Sequence, residues 1–184
     1  MGTGGAMDLS SQRGITNFVL IALVINLLFW QSGTVKCFGW MTKFGLEELT
    51  DQASHVIVGK VIAKRSSWDS QKTKIYTDVR ISVDEVIKGS LNKREIVIRH
   101  LGGEIPEEDI GMKVSDMSEF NVGEDVLIFI KPGRSKGKYK LVGKTQGKYT
   151  LKNGTVLEKQ LMLNDFKNKI KNIIQIHNTP THLE

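Results

Sequence analysis

Residues 120–147 read FNVGEDVLIFIKPGRSKGKYKLVGKTQG, and this stretch decides how the rest of the chain is arranged. Residues 126–130 are apolar without interruption, so a strand formed by them would be buried on both faces and central in its sheet. Pro132 and Gly133 end that strand, and residues 139–142 begin a return strand. A hairpin whose first arm is buried needs further strands on both sides, which predicts a small closed β-domain.

The chain before this hairpin supplies three more strands. The first covers residues 56–63, which start apolar on both faces, and Gly59 within it indicates a bend or a close backbone approach. The second covers residues 75–83, where apolar and polar side chains alternate as in a half-buried strand. That alternation slips at residues 84–85, so a β-bulge is predicted there. The third strand covers residues 95–101.

Polar and glycine-rich connections separate these strands. Residues 66–74 are predicted to form a turn, and residues 102–111 a loop that leads into a short strand at 112–114. A second hairpin is predicted over residues 147–157, because an Asn-Gly dipeptide at its centre favours a tight type I′ turn. Six or seven short strands with turns between them indicate a mainly β domain, either a barrel or a sandwich.

Two helices flank the strands. Residues 46–53 have apolar side chains at helical spacing and two glutamates in the first turn, where the helix dipole favours negative charge. The C-terminal helix is predicted over residues 161–178, with Asn164 or Asp165 as its cap. Its apolar stripe consists of Leu163, Phe166, Ile170, Ile173 and Ile174.

Length and composition are those of an ordinary globular chain with room for one domain and an accessory segment. The 184 residues include 26 Lys and Arg against 20 Asp and Glu, a net charge of +6. Because the two signs are interspersed, a solvated lysine-rich surface and a polyanion-binding face are both open interpretations. Cys37 is the one cysteine, so the core must hold the domain together without an intrachain disulfide.

The N-terminus contains an uncharged apolar run. Residues 15–30 fall between the length of a signal-peptide core and that of a full bilayer span, so a cleaved secretory signal and an uncleaved anchor are both predicted. For a cleaved signal, Val35 and Cys37 would be the small residues before the cleavage point, although neither is a good match to the Ala-x-Ala pattern. Arg13 and Gly14 resemble the processing site of type IV pilin-like precursors, although the glutamate expected five residues further on is absent. Because Arg13 favours an N-terminus in the cytoplasm, these readings place the following domain outside it, and a buried soluble helix is the remaining alternative.

The sequence holds no familiar catalytic set. It contains no Gly-x-Ser-x-Gly, His-Glu-x-x-His or Cys-x-x-Cys motif and no phosphate-binding glycine loop. His55 opens a predicted strand and His100 closes one, positions that suit structural histidines better than catalytic bases. We therefore expect a protein that is not an enzyme and that carries no cofactor.

One acidic cluster is a weak candidate for a metal site. Glu104, Glu107, Glu108 and Asp109 fall in one predicted loop. Oxygen ligands at short spacing suit a hard cation such as calcium, but the spacing matches no EF-hand. A solvated acidic loop is the simpler interpretation, and no metal is expected.

Six segments of the chain occur in an order that is familiar from other proteins. They are residues 46–59, Tyr-Thr-Asp-Val at 76–79, Val-Asp-Glu-Val-Ile-Lys-Gly at 83–89, Leu-Gly-Gly at 101–103, Phe-Asn-Val-Gly-Glu-Asp-Val-Leu-Ile-Phe at 120–129 and Gly-Lys-Thr-Gln-Gly-Lys-Tyr at 143–149. Together they resemble a domain of secreted and surface-anchored prokaryotic proteins of unassigned function.

That domain is in turn similar to the netrin-like and tissue-inhibitor-of-metalloproteinase OB barrels. The resemblance covers about residues 46–151 and implies a small OB-like Greek-key β-barrel in an exported protein. The inhibitory chemistry of those proteins rests on a disulfide-framed N-terminal cysteine, which Cys37 cannot be, so no inhibitory role is carried over.

The sequence thus divides into a signal peptide or anchor, a connector, an OB-like barrel, a helix and a loose tail. Their bounds are 1–37, 38–45, 46–160, 161–178 and 179–184. We expect an extracytoplasmic interaction module (secreted, periplasmic or on the cell surface) that binds a protein or a surface glycan, with homo-oligomerisation left open. Residues 15–30 would hold it at a membrane if they are not cleaved.

Two other functions remain as alternatives. The pilin-like N-terminus suggests a structural subunit of a cell-surface filament or layer. The basic charge suggests a nucleic-acid-binding OB domain, but its aromatic residues are scattered along the chain, which argues against a stacking surface for bases.

Overall fold

The computed structural model describes residues 43–179, which contain two helices and ten strands. In chain order these are α1 (Leu46–Gln52), β1 (His55–Trp68), β2 (Ile75–Lys88), β3 (Glu95–Leu101), β4 (Gly103–Ile105), β5 (Ile110–Met112), β6 (Asp125–Pro132), β7 (Tyr139–Leu141), β8 (Lys148–Lys152), β9 (Thr155–Val156), β10 (Leu161–Met162) and α2 (Leu163–Asn178). The mainly β class and the two flanking helices are confirmed.

The N-terminal predictions lie outside the described residues. They concern the apolar run 15–30 with its expected helix and the processing residues Arg13, Gly14, Val35 and Cys37.

Five strands form a ring in the order β1-β2-β3-β7-β6, because β6 pairs back with β1. Four of the five pairings are antiparallel, and β3 with β7 is parallel. That parallel pairing consists of Ile98 with Tyr139 alone. The strand β7 is three residues long, since the chain turns away at Gly143 with φ +62. The ring is therefore not a closed barrel, and the expectation of closure is wrong at this seam.

Strand β6 is central and buried on both faces, as its sequence predicts. Residues 126–130 are fully inaccessible to solvent. Along the strand, Val126, Ile128 and Ile130 point into the ring, whereas Leu127 and Phe129 point out of it. The strand pairs with β1 on one side and with β7 and β8 on the other.

These two faces belong to two separate apolar cores. The core inside the ring consists of Ile57, Val61, Val79, Ile81, Ile96, Ile98, Phe120, Val126, Ile128 and Ile130. The core outside the ring consists of Leu49, Ala53, Val56, Val58, Leu127, Phe129, Val142, Tyr149, Val156, Phe166 and Ile170. Both helices and the β8–β9 hairpin cover the outer face of β1 and β6, which explains why these two strands carry apolar residues on both sides.

The predicted bend and bulge of the long β1–β2 hairpin are confirmed. Gly59 pairs with Val83 while Val58 pairs with Glu85, so residue 84 is the extra, bulged residue. A Cβ atom at Gly59 would lie 2.2 Å from the carbonyl oxygen of Ser82, a distance that no side chain tolerates. Glycine is therefore required where the two strands approach each other.

The structure corrects three local predictions. Strand β1 continues to Trp68 instead of turning at residue 66, because its last three residues pair with the start of β2. The predicted loop 102–111 contains the β4–β5 hairpin. No side chain caps α2, whose N-cap position is Met162 rather than Asn164 or Asp165. The β8–β9 turn is as predicted, with left-handed backbone at its Asn-Gly centre.

We predict that helix α2 is an integral part of the fold rather than an appendage. Phe166 is 1% exposed and packs against Tyr149 with ring centroids 4.9 Å apart. Phe166→Ala should lower the free energy of unfolding by about 3–5 kcal/mol, because it leaves a cavity in the outer core. The control is Ile176→Ala at a site that is 67% exposed, where the change should stay within about 0.5 kcal/mol. Urea unfolding curves that coincide for the two variants would contradict the prediction.

Candidate functional site

A groove of about 1210 Å³ lies at the end of the ring where β1 and β2 extend past β6. Its walls come from parts of the chain that are distant in sequence. They are residues 64–68 of β1, the end of β3, the β4–β5 hairpin and the segment 113–121. A smaller cavity of about 320 Å³ lies between the two helices, beside the contact of the Asp51 carboxylate with His177 Nδ1. The groove is the better candidate, because its walls combine several polar and apolar side chains with a strand edge, whereas few residues line the smaller cavity.

One wall of the groove is an unpaired strand edge. Strand β1 pairs with β6 from His55 to Lys60, and Val61 exchanges two main-chain hydrogen bonds with Gly123 and Glu124. From residue 62 to residue 68, β2 is the one strand that pairs with β1 within the described part of the chain. Unpaired main-chain donors and acceptors along such an edge are available to another extended chain.

The floor of the groove is fixed by a buried hydrogen-bond chain. The Thr77 hydroxyl donates to the carbonyl oxygen of Gly102 at 2.6 Å, so the Ser66 hydroxyl, 2.9 Å away, donates to Thr77. A Cβ atom at Gly103 would lie 2.1 Å from the Thr77 oxygen and 2.4 Å from the Ser66 oxygen. The two glycines thus let the β4–β5 hairpin sit directly on the ends of β1 and β2.

His100 lies beside this floor, where β3 ends. Its ring stacks on Phe120 with centroids 6.3 Å apart, and its Nδ1 lies 3.2 Å from the carbonyl oxygen of Leu101. Burial lowers the pKa of His100, and the nearby Lys64 ammonium lowers it further, against the opposing effects of the Leu101 carbonyl and of Asp78. The imidazole is therefore neutral near pH 7 and contributes a flat half-buried ring to the groove.

His55 also has a structural role, as predicted for a strand end. Its ring meets Tyr139 edge to face, with centroids 5.6 Å apart. Its two nitrogens lie 2.9 Å from the Ser54 hydroxyl and 3.1 Å from the carbonyl oxygen of Ser90. The ring thus ties the start of β1 to the turn before β3.

Three residues of the acidic cluster, Glu104, Glu107 and Glu108, line the groove, whereas Asp109 does not. Glu104 is on β4, and Glu107, Glu108 and Asp109 occupy the tip of the β4–β5 hairpin. Glu108 accepts a hydrogen bond of 2.9 Å from the indole nitrogen of Trp68. Within residues 43–179, no group of three or more His, Cys, Asp or Glu side chains is arranged to hold a metal ion.

The far wall of the groove is anchored by Glu124, a residue that the sequence analysis did not single out. Its carboxylate accepts hydrogen bonds from Lys148 Nζ at 2.6 Å, from the Thr150 hydroxyl at 3.0 Å and from the main-chain amide of Asn121 at 3.0 Å. Both partners of the ion pair are 11% exposed. Burial raises the pKa of Glu124, but these donors outweigh that effect and hold the pKa below its ordinary value.

This anchor explains the sequence element at residues 120–129. Phe120 closes the end of the inner core at 1% exposure, and Gly123 turns the chain with φ +89. Glu124 then binds Lys148, which comes from the other quoted segment, 143–149. Periodic patterns in a sequence do not reveal a buried ion pair between two segments about twenty residues apart. This ion pair could have been predicted only from the knowledge that the two segments contact each other.

Comparison with known proteins gives no further guide to this site, since no family model and no curated protein matches the chain. Within residues 43–179, no helix is long and apolar enough to cross a bilayer.

We predict that Glu124→Gln destabilises the domain, because Lys148 would then be a buried charge without its counter-ion. Removing one partner of a buried ion pair costs about 3–5 kcal/mol, and the slight exposure of this pair places the expected loss near about 3 kcal/mol. The pKa of Glu124 is depressed on folding, so the pair stabilises the wild type above pH 4.5 and loses its effect as pH falls through the lowered pKa. Urea unfolding of both proteins should therefore converge on acidification. A difference that is unchanged at low pH would contradict this.

We predict a second pH effect from His100. Its pKa in the folded state lies below the ordinary 6.5, so the unfolded chain binds the proton more readily. Stability is then greatest above pH 6.5 and falls as pH drops toward the folded-state pKa. His100→Gln should remove this part of the pH dependence. The measurement is the unfolding free energy of both proteins at pH 7.5 and pH 5.5. An equal change between the two pH values in both proteins would show that His100 does not titrate below its usual range.

Proposed function

We propose that the β-domain is an extracytoplasmic, non-enzymatic binding module, secreted or tethered to a membrane, that holds an extended segment of a partner protein in the groove. The observation that carries this proposal is the free edge of β1 over residues 62–68, of which residues 64–68 form one wall of the groove. An extended peptide that joins a sheet edge gains main-chain hydrogen bonds, and adjacent pockets select its side chains.

The groove suits a peptide because both apolar and charged side chains line it and internal hydrogen bonds hold its walls in place. Trp68 and Met112 offer apolar surface, and Lys64, Arg65 and Lys113 offer charge. The Ser66–Thr77–Gly102 hydrogen-bond chain and the Glu124–Lys148 pair hold opposite sides of the groove in place. A pre-organised site loses less conformational freedom when its partner binds.

The same side chains favour binding over catalysis. The hydroxyls of Ser66 and Thr77 are engaged in the floor of the groove, and His100 is stacked on Phe120. A hydroxyl becomes a nucleophile when a general base lies within hydrogen-bond reach, whereas these hydroxyls bond to each other and to the Gly102 carbonyl.

We infer that the ring is an OB-like Greek-key arrangement of the netrin-like kind. The five-stranded ring, its incomplete closure and the long connection from β3 to β6 support this, because the OB-fold is a partly open barrel of five strands. OB-folds bind diverse ligands, so the partner is argued from the groove and not from the fold.

A displayed peptide library selected on the full-length protein tests the proposal. Gly111→Trp is designed to fill the groove, because a Cβ atom there meets only the flexible Glu104 side chain at 3.3 Å and a carbonyl at 3.9 Å. Asn172→Trp on the exposed side of α2 is the matched control. Selected peptides should bind Gly111→Trp at least about tenfold more weakly, a loss near 1.4 kcal/mol, and bind the control as they bind the wild type.

Hydrogen exchange supplies the independent readout. A bound strand should slow exchange of main-chain amides in residues 62–68 of the wild type. Peptides that bind both tryptophan variants equally would contradict the groove as the site. If oligosaccharides bind instead of peptides, and Gly111→Trp abolishes that binding, the domain is still a binding module but its partner is a glycan. Concentration-dependent self-association through the same edge would identify the partner as a second copy of the chain.

A further inference from the structure

The positive charge of the protein is concentrated in one segment. Residues 126–157 contain eight Lys and Arg and no Asp or Glu, so the rest of the chain is slightly acidic. Five of those eight cations lie on the β6–β7 hairpin, which we call the basic hairpin. They are Lys131, Arg134, Lys136, Lys138 and Lys140.

The basic hairpin lies at the end of β1 opposite the groove. His55, at the start of β1, pairs with Ile130, the neighbour of Lys131 in the hairpin, whereas the groove begins near residue 64. At the other arm of the hairpin, Tyr139 pairs with Ile98 of β3, and Lys138 Nζ lies 2.6 Å from Asp78, the neighbour of the groove residue Thr77. The basic hairpin and the groove therefore occupy different positions along β1 but adjoin each other at β2 and β3.

Two of the lysines face each other without a counter-ion. Lys131 and Lys140 are direct partners in the β6–β7 ladder, and like charges so placed destabilise an antiparallel pair. Lys131 Nζ has the neutral side-chain oxygen of Gln52 at 3.4 Å. Within residues 43–179, no carboxylate forms an ion pair with Lys131, Arg134, Lys136 or Lys140.

Lys138 of the hairpin shares a single carboxylate with Arg99 of β3. Asp78 accepts two hydrogen bonds of 2.7 Å from Arg99 and one of 2.6 Å from Lys138. Two positive charges on one negative charge leave the surface positive where β3 and β7 meet. The tip of the hairpin is compact, because the main-chain amide of Gly133 donates a hydrogen bond of 2.8 Å to the Lys138 carbonyl. Arg134 and Lys136 are part of this tip.

The geometry points to a docking surface for an anionic polysaccharide, one that carries sulfate or carboxylate groups on successive sugar units. Such a polymer meets several cations of the basic hairpin at once and releases its own counter-ions. It also supplies the negative charge that the Lys131–Lys140 pair lacks in the folded protein.

Two other polyanions fit this surface less well. Single-stranded nucleic acid binds where aromatic rings stack on bases, but Tyr139 is turned inward against His55 and the inner core. A bilayer surface favours large apolar side chains that insert between lipids, but the hairpin tip is composed of Pro, Gly, Ser, Lys and Arg.

The test compares two double variants of the full-length protein that remove equal charge. Lys131→Gln with Lys140→Gln removes the opposed pair, and Lys169→Gln with Lys171→Gln removes two exposed lysines of α2. The probes are fluorescent dextran sulfate and polygalacturonate, titrated over a series of salt concentrations. The hairpin variant should bind at least about fivefold more weakly, with a slope of log Kd against log salt that is shallower by about two. The α2 variant should bind as the wild type does.

Stability separates loss of binding from loss of fold. Because the two lysines repel each other, the hairpin variant should be at least as resistant to urea as the wild type. Equal loss of binding in the two variants would overturn the proposal, since it would reflect net charge alone. Tighter binding to oligothymidylate, or to vesicles of phosphatidylglycerol and phosphatidylcholine, than to either polysaccharide would overturn it in favour of a different polyanion.

Discussion

The fold depends on the burial of both faces of β6. Five consecutive apolar residues in an extended strand direct large side chains to both sides, so one hydrophobic core is not enough to cover them. The ring buries one side. The other side requires α1, α2 and the β8–β9 hairpin, which would have little reason to pack against a sheet with a polar outer face. The adjacent part of β1 obeys the same constraint, with Val56 and Val58 in the outer core and Ile57 and Val61 in the inner one.

Features that depend on local periodicity could be predicted from the sequence, and features that depend on distant pairing could not. The alternation before Val83 and its slip at residue 84 indicate both the strand β2 and its bulge. In contrast, Ser66 and Ser67 look like turn residues, and their place in β1 follows from the strand that pairs with them. The open seam at Tyr139 depends on where the chain leaves β7, and no apolar pattern encodes that.

The candidate site was harder to predict for the same reason. Its walls combine residues near 65, 77, 102 and 120, and its anchor is an ion pair between Glu124 and Lys148. The sequence element at 120–129 resembles a family signature, but each of its distinctive residues has a structural role. Phe120 fills the inner core, Gly123 permits the turn, and Glu124 fixes the loop to β8. A motif of this kind indicates the fold but not the ligand, which has to be inferred from the surfaces at either end of β1.

The alternation of β6 side chains also determines how the domain comes apart. The inner and outer cores share one backbone, because neighbouring residues such as Ile128 and Phe129 belong to different cores. Melting either core would release the strand that supports the other, so the helices and the ring cannot lose their structure in separate steps. Two cores that share a strand should therefore unfold as one cooperative unit. A calorimetric scan of the domain should accordingly show a single heat-absorption peak in spite of its layered architecture.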